Sequence, residues 1–529
     1  MSNPDTSVVP AHRDGRRVEQ KLPRRRVATM AAAAFVALGL LWALATPLMD
    51  SPDEPTHALR AASVWEGTLH GTDQVIHRPP SATGSVETGT LTQVRGPKAY
   101  VDLQTIPDCY KIKDSVPATC APPVSTDRTI VPAATYVGTY QPTYYVLVGW
   151  PTRLLGPYRA LYAMRAISAL LGGVLLGLGV ASAHRAARSP FAVVGAALAA
   201  TPQALFLIGT INPSGLEIAA AFATWLGLIE LVGRPGRPSR ALVAQVAATA
   251  SLFALTRPLS PVFLMILVGV VGLATLDRSR WRELAGNRGV RFGAGVVVLA
   301  TAASGIWVLS MHAYDAFTGI SIPGLTAGGA AREHLHMLGF RTQQMIGYFG
   351  NVDAPLPDTV VWLWVGATGL LVAASLLVGR WRQRLAVGGL VAAVMVIPLA
   401  SEMTKAATYG FIWQGRYSLP LAVGVPILAG WVVADRWNAA RVTSRRTIAG
   451  VVAVAVATAQ VVAHVAFMTR VVIGIPNPWW RYLTNAGWRP PLPVWVLLVW
   501  AIVSAVAYGA MLWVTGRDEP VTRGRRTKP

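Results

Sequence analysis

The stretch from Ala28 to Met49, ATMAAAAFVALGLLWALATPLM, followed at once by Asp50-Ser51-Pro52-Asp53-Glu54-Pro55-Thr56-His57, decides the fold. Its first part is an uncharged run of the length that crosses a bilayer. Its second part places acids and a histidine, flanked by prolines, directly at the exit of that run, where ionisable groups are costly to hold near hydrocarbon. A basic segment precedes the run (Arg13, Arg16, Arg17, Lys21, Arg24, Arg25, Arg26), and no clean small-residue cleavage site stands before Asp50. These are the marks of a retained signal anchor.

The same pattern continues along the chain. Of its 529 residues, 53% are hydrophobic and 14% charged, against about 25% charged in soluble domains. The sequence predicts an all-α polytopic membrane protein of about 12 spans, at 28–49, 160–183, 191–209, 215–232, 241–255, 259–276, 292–311, 359–378, 385–400, 418–433, 448–467 and 492–515. The net charge of +22 would suit a nucleic-acid partner. The placement of the charges argues otherwise: segments 1–27, 184–190, 233–240, 277–291, 379–384, 434–447 and 516–529 hold 29 of the 47 Lys and Arg residues. They alternate between spans as cytoplasmic loops do. The expectation is therefore a multi-pass plasma-membrane protein with both termini in the cytoplasm and no nucleic-acid partner. Its parts are a basic tail at 1–27, a transmembrane domain at 28–515 and a second basic tail at 516–529.

The polar chain falls mostly on the outer side, in segments near 50–158, 312–358, 401–417 and 468–491, which points to work on extracytoplasmic material. The first of these reads as a helix at 53–66, then irregular or weakly stranded chain, then a return at Tyr140-Gln141-Pro142-Thr143-Tyr144-Tyr145. That return suits the membrane interface, as do Trp479 and Trp480. Cys109 and Cys120 lie in the same segment. Outside the cytoplasm a disulfide closing a short loop is expected, with two free thiols as the alternative. No internal repeat is visible, nor the paired broken helices of an inverted-repeat transporter.

Five groups of residues carry candidate chemistry. Asp53 stands where a cap is needed and Pro55 is tolerated in a first turn. In such a helix Asp53 and His57 are four apart and His57 and Arg60 three apart, close to one face. A carboxylate, an imidazole and a guanidinium together can take a proton from a hydroxyl and hold a phosphate. The plainer reading leaves Asp53 as a cap and Glu54 as a partner of the helix dipole. Asn212-Pro213-Ser214-Gly215-Leu216-Glu217 is a cap-and-turn that puts Glu217 in the first turn of an apolar helix. In Thr256-Arg257-Pro258, Arg257 either snorkels to the headgroups or binds a lipid phosphate. In Gln414-Gly415-Arg416-Tyr417, preceded by Glu402 and Lys405, Arg416 offers a planar fork for phosphate and Tyr417 a cover for a sugar or prenyl unit. The alternative there is interfacial anchoring. His334 and His336 do not share a helical face and read as loop polarity, so no metal is expected. The absence of a Walker or dinucleotide glycine motif leaves no support for a nucleotide cofactor.

At these residues the chain resembles a known family. Pro52-Asp53-Glu54-Pro55-Thr56-His57, with Arg60-Ala61 and Glu66-Gly67 after it, is similar to the signature of bacterial multipass proteins grouped as domain of unknown function 2142. The Tyr140 return, the Asn212-to-Glu217 turn and Gln414-Gly415-Arg416-Tyr417 resemble later landmarks of that family in the same order, over about residues 30 to 515. Position 141 is Gln where Pro is the commoner residue, and position 213 is Pro rather than an acid, which weakens the case for a carboxylate supplied by the Asn212 turn.

The resemblance implies the GT-C glycosyltransferase superfamily: a helical membrane core, an outer active site with an acid in the first outer loop, and a sugar taken from a polyprenyl-phosphate donor. On that expectation Asp53 is the base, with Glu54 as alternate, and His57 orients Asp53 or binds phosphate. Arg416, with Arg60, Arg257 or Lys405, steadies the departing lipid phosphate, and Glu217 and Tyr417 complete the pocket. Partners would be a lipid-linked sugar, a glycan or lipid acceptor, and membrane lipids. Two other classes remain open from the residues, a lipid-linked glycan flippase and a non-catalytic scaffold of envelope assembly.

Overall fold

The computed structural model describes residues 22–77, 86–186, 189–275, 277–313, 318–436, 442–484 and 487–517. Most of the two basic tails, residues 1–21 and 518–529, lies outside the described residues.

Among the described residues, nine helices are long and apolar enough to cross a membrane: Arg24–Ala45, Pro157–Ala186, Pro213–Gly233, Arg288–Ser310, Asp358–Val378, Trp381–Tyr409, Gly415–Arg436, Arg446–Ile473 and Val494–Gly516. A tenth span is broken, with Phe191–Ala199 and Pro202–Ile208 meeting at 59°. The break falls where Pro202 opens a new helix, capped by the Thr201 hydroxyl on the Ala204 N–H at 3.2 Å. The spans expected at 241–255 and 259–276 are the helices Arg240–Ala254 and Ser260–Ala274, of 15 residues each. At about 1.5 Å per residue they fall short of a hydrocarbon core of about 30 Å. The chain is thus an all-α polytopic membrane protein in which every one of the expected apolar runs is helical, but two are too short to span alone.

Burial sorts the helices. The apolar window of Pro213–Gly233 is 94% buried, so this helix runs through the middle of the bundle. The windows of Arg288–Ser310 and Asp358–Val378 are only 22% buried and turn their apolar sides outward. Uniformly apolar helices suit both positions, one against protein and the other against lipid. Close packing of the first span uses small residues: a Cβ on Gly177 would lie 2.6 Å from the Ala32 nitrogen and 2.8 Å from the Ala28 oxygen. Glycine there lets the two backbones touch.

The segment after the first span folds as a helix, Glu54–Trp65, under a small sheet. Strands β1 (Thr72–His77), β2 (Glu87–Pro97) and β3 (Ile130–Thr135) are antiparallel in the order β1-β2-β3, with Thr72 opposite Gln93 and Thr92 opposite Thr135. A fourth strand, β4 (Thr318–Ile320), pairs with β2 through Gly89 and Thr318, which ties the first outer segment to the next long one. Cys109 and Cys120 form a disulfide.

Two local expectations change. His334 and His336 are on a helix, Ala327–His336, rather than in a loop. Tyr144 and Tyr145 are fully buried rather than interfacial, because their hydroxyls reach inward to Ser168 at 2.9 Å and His57 at 3.0 Å. Trp479 and Trp480 are exposed.

Candidate active site

The residues after the first span do not behave alike. Glu54 is fully buried and takes a two-point grip from Arg165, at 2.7 Å from Nε and 2.6 Å from Nη2, and also accepts the Ile211 N–H at 3.0 Å. Arg165 spends its other N–H groups on the carbonyls that end the first span: Ala43 at 3.0 Å, Thr46 at 2.6 Å and Pro47 at 2.8 Å. A helix end leaves such carbonyls unpaired, and a guanidinium satisfies several of them at once. Glu54 is therefore the counter-ion of a buried structural arginine, and the alternate-base role expected for it is corrected: both its oxygens are occupied and sealed from solvent. Asn212 adds a second clamp, donating to the Pro52 carbonyl at 2.7 Å while its side-chain oxygen caps Ser214 at 2.9 Å.

Held between these clamps, Asp53 adopts φ 62°, in the left-handed region. Aspartate tolerates that region better than most residues. Asp53 sits at the cap position of Glu54–Trp65, yet its side chain makes no cap hydrogen bond. This corrects the cap reading. The carboxylate turns outward instead, accepting the Tyr136 hydroxyl at 2.6 Å on one oxygen and pairing with Arg416 through the other. Its side chain keeps 25% of its exposure, whereas that of Glu54 keeps none. Burial works to raise its pKa, but Arg416 foremost and the Tyr136 hydroxyl outweigh burial and hold the carboxyl below its ordinary range. Asp53 is thus an ionised, reachable carboxylate.

Arg416 is nearly buried, and its Nε and Nη1 have no hydrogen-bond partner among the described residues, while Nη2 touches both Asp53 and, at 3.0 Å, the Tyr417 hydroxyl. Its guanidinium carbon lies 5.0 Å from the centre of the Tyr417 ring. Arg257 approaches the same ring at 4.7 Å and that of Tyr140 at 5.5 Å. It also donates to Ser214 at 2.9 Å and to Glu217 at 3.4 Å, while Ser260 donates to Glu217 at 2.7 Å. Two cations sharing one aromatic ring, each opposed by one acid, leave the centre near neutrality before any ligand arrives. Nitrogens of a buried guanidinium without partners are a standing demand for an anion with several acceptor oxygens.

His57 lies under this centre. Its Nδ1 meets the Tyr145 hydroxyl at 3.0 Å, and burial drives its pKa down to about 3, so it is a neutral hydrogen-bonding group and not a cationic phosphate ligand. Arg60 is directed elsewhere: it donates to the carbonyls of Thr68 at 2.9 Å and Leu69 at 2.5 Å and secures the chain leaving its helix. The phosphate role expected for Arg60 is corrected by those contacts. Lys405 is half-buried near the end of Trp381–Tyr409, one turn from Glu402, which pairs with Arg341 at 2.9 Å. That pair also receives the Trp413 N–H at 2.9 Å, and Gln344 accepts from Gly415 at 2.7 Å. The loop that delivers Arg416 is fixed by these bonds. Among the described residues, no group of three or more His, Cys, Asp and Glu side chains is arranged to hold a metal ion.

Three polar participants have no local signal in the sequence, or one that does not name their partner. Tyr136, beyond the end of β3, reaches Asp53 only through the fold. Arg165 is a lone arginine inside the apolar run 160–183, and an intramembrane charge of that kind marks a partner to be found. Asp50 belongs to a second buried cluster: it accepts from Asn351 at 3.0 Å, and burial together with the neighbouring Asp353 pushes its pKa well above the usual range. Asp353 in turn takes Arg470 at 2.7 Å and the Ile112 N–H at 3.2 Å, anchoring the disulfide loop to the helix Val442–Ile473.

Fold and site together define a polytopic membrane protein with an acid–arginine centre at one end of its helices. The family model described as "Predicted membrane protein (DUF2142)" matches residues 36–425, and the chain belongs to that family. The match ends within Gly415–Arg436, short of the last two spans. Comparison with curated proteins returns no match. Among solved structures, the chain is similar to ArnT from Cupriavidus metallidurans, solved bound to undecaprenyl phosphate, at 15% identity and a TM-score of 0.41, covering 94% of this chain and 77% of that one. It is also similar to the arabinofuranosyltransferase AftD from Mycobacteria, at 15% identity and a TM-score of 0.38, covering 86% of this chain and 28% of that one. At those scores the likeness by itself decides neither fold nor activity.

Proposed function

We propose that the chain is a membrane glycosyltransferase that moves a sugar from a polyprenyl-phosphate donor to a hydroxyl of an extracytoplasmic cell-envelope acceptor. The observation that carries the reading is the Asp53–Arg416 pair: a reachable carboxylate beside a buried guanidinium with two nitrogens free of partners among the described residues. In the reaction, the acceptor oxygen bonds to the anomeric carbon as its proton passes to Asp53. The bond from that carbon to the phosphate oxygen breaks, and the lipid phosphate leaves with the electron pair. Displacement in one step inverts the anomeric centre. Arg416 and Arg257 meet the charge that develops on the departing phosphate, Tyr136 and Tyr417 fix the two reacting groups, and His57 supports Asp53's helix from below as a neutral partner of Tyr145.

An apolar cavity of about 350 Å³ supports a lipid donor. It lies beside Leu419, three residues past Arg416, and its other walls include Met345, Trp364, Val394 and Pro426, with threonines as the only polar lining. The distribution of basic residues supports a site on the outer face of the plasma membrane, with both termini inside. The domain division is read as one membrane unit at 28–515 between the two basic tails.

The test is a transfer assay with Asp53→Asn and Arg416→Ala proteins that insert normally, beginning with undecaprenyl phosphate carriers. Wild-type turnover by both would end the assignment. One observation favours a second reading, lipid-linked glycan translocation: Gln460 and His464, buried mid-way along Val442–Ile473, have side-chain nitrogens and oxygen without hydrogen-bond partners among the described residues. Movement of a labelled lipid-linked sugar across vesicles without bond formation would select it.

A further inference from the structure

At the end of the helices opposite Asp53, the short helix Arg240–Ala254 and the outward-facing helix Arg288–Ser310 pack against each other, and a Cβ on Gly293 would lie 3.3 Å from both Ala247 and Val243. Beside that contact is an open cavity of about 1050 Å³. Arg237, Arg240 and Arg288 stand at its polar end, all exposed, and none has a hydrogen bond or ion pair among the described residues. The other polar groups there are already engaged: Glu283 pairs with Arg280 at 2.8 Å, and the Asn287 side chain caps Gly289 at 2.9 Å and Val290 at 3.2 Å. The far end of the cavity is apolar, along Phe292 and Val296, and Phe292 is 77% exposed.

We propose that this groove binds an anionic phospholipid from the leaflet opposite the catalytic centre. Its phosphate would lie among the three arginines, with an acyl chain along Phe292 and Val296. Three uncompensated cations joined to an apolar trough match a ligand with a negative head and a hydrocarbon tail, and basic pockets between membrane helices bind acidic lipids on that principle. A soluble anion would satisfy the arginines but make no use of the trough, and a zwitterionic lipid would satisfy the trough but bring no net charge. The site also has a route to the acid–arginine centre. At its other end, Arg288–Ser310 receives Gln141 on Ser304 at 2.9 Å and donates from Trp307 to the Thr139 carbonyl at 2.9 Å, on either side of Tyr140, which lies over Arg257. A lipid that steadies this peripheral helix steadies the Tyr140 corner.

The experiment is native mass spectrometry of the full chain in detergent, titrated separately with phosphatidylglycerol, phosphatidylcholine and glycerol 3-phosphate. The wild type is compared with an Arg237→Gln, Arg240→Gln, Arg288→Gln triple variant and with Arg288→Gln alone. The expected result is phosphatidylglycerol binding about a hundredfold weaker in the triple variant and about fivefold weaker in the single one, with phosphatidylcholine unchanged. Equal phosphatidylglycerol binding by wild type and variants overturns the proposal. So does glycerol 3-phosphate binding as tightly as phosphatidylglycerol, which would make this a site for soluble anions. The single variant removes one exposed, unpaired side chain, so the comparison survives if the triple variant fails to fold.

Discussion

Neutralising the proposed base should tighten the binding of the donor lipid. A guanidinium presents two forks, Nε with Nη2 and Nη1 with Nη2, and both use the nitrogen that Asp53 holds in the unliganded protein. A phosphate that takes either fork must displace or share with the carboxylate, and it brings a second negative charge beside the first. In Asp53→Asn the amide oxygen can still accept from Tyr136, but the competing charge is gone. Two unit charges about 4 Å apart interact by about 4 kcal/mol at an effective dielectric of about 20. Because the Asp53 side chain keeps 25% of its exposure, solvent screening reduces that figure, to roughly 1–2 kcal/mol, or about 5- to 30-fold in affinity. Transfer should fall by about a hundredfold or more, since a positioned base contributes about 10² to 10⁴. The assay is equilibrium binding of a fluorescent polyprenyl monophosphate to the purified full chain, with Arg416→Gln as the control that loses affinity. Equal or weaker binding by Asp53→Asn would refute the competition between carboxylate and phosphate even if Asp53 is the base. Absence of binding by every protein, with no transfer by the wild type, would instead remove the donor class.

Other perturbations separate structure from chemistry. Glu54→Gln leaves Arg165 buried without its counter-ion and should destabilise the fold by about 3–5 kcal/mol, seen as a lower melting temperature and poor recovery from membranes rather than as a selective loss of turnover. Tyr136→Phe removes a hydrogen bond that favours the Asp53 carboxylate, so the acid limb of the rate–pH profile should move to higher pH, with melting temperature nearly unchanged. His57 has a folded pKa near 3 against about 6.5 unfolded, so its contribution is full above about pH 6.5 and is lost as pH falls toward 3. The melting temperature of His57→Gln should therefore fall less between pH 6.5 and 5 than that of the wild type, and an equal slope would count against a buried neutral histidine. Opening the Cys109–Cys120 loop, which closes over a separation of 11 residues, should cost about 3 kcal/mol. It should show first as faster hydrogen exchange at Tyr110 and Val116, whose carbonyls hold Arg470.

Most of the helices were legible in the sequence because their apolar runs are long and carry few charges. The two that fell short, Arg240–Ala254 and Ser260–Ala274, are separated by a turn around Arg257 that the sequence marks with a proline. At 15 residues each they are shorter than a hydrocarbon core of about 30 Å. The turn between them carries Arg257 to the Tyr417 ring that Arg416 also approaches. Helical spacing was a poorer guide to the acids. It put Asp53, His57 and Arg60 on one face, but the chain enters its helix through a left-handed residue, so the Asp53 side chain leaves the direction that regular geometry assigns to it. Spacing also could not distinguish Asp53 from Glu54. Their difference is made by Arg165, 111 residues away from Glu54, and by Tyr136, 83 residues away from Asp53. A motif of adjacent acids therefore states that charge is needed at this border. Which acid is sealed and which stays reachable depends on where the partners arrive: the acid that meets an arginine already occupied by helix-end carbonyls is closed off, and the acid that meets an arginine with nitrogens to spare is left exposed.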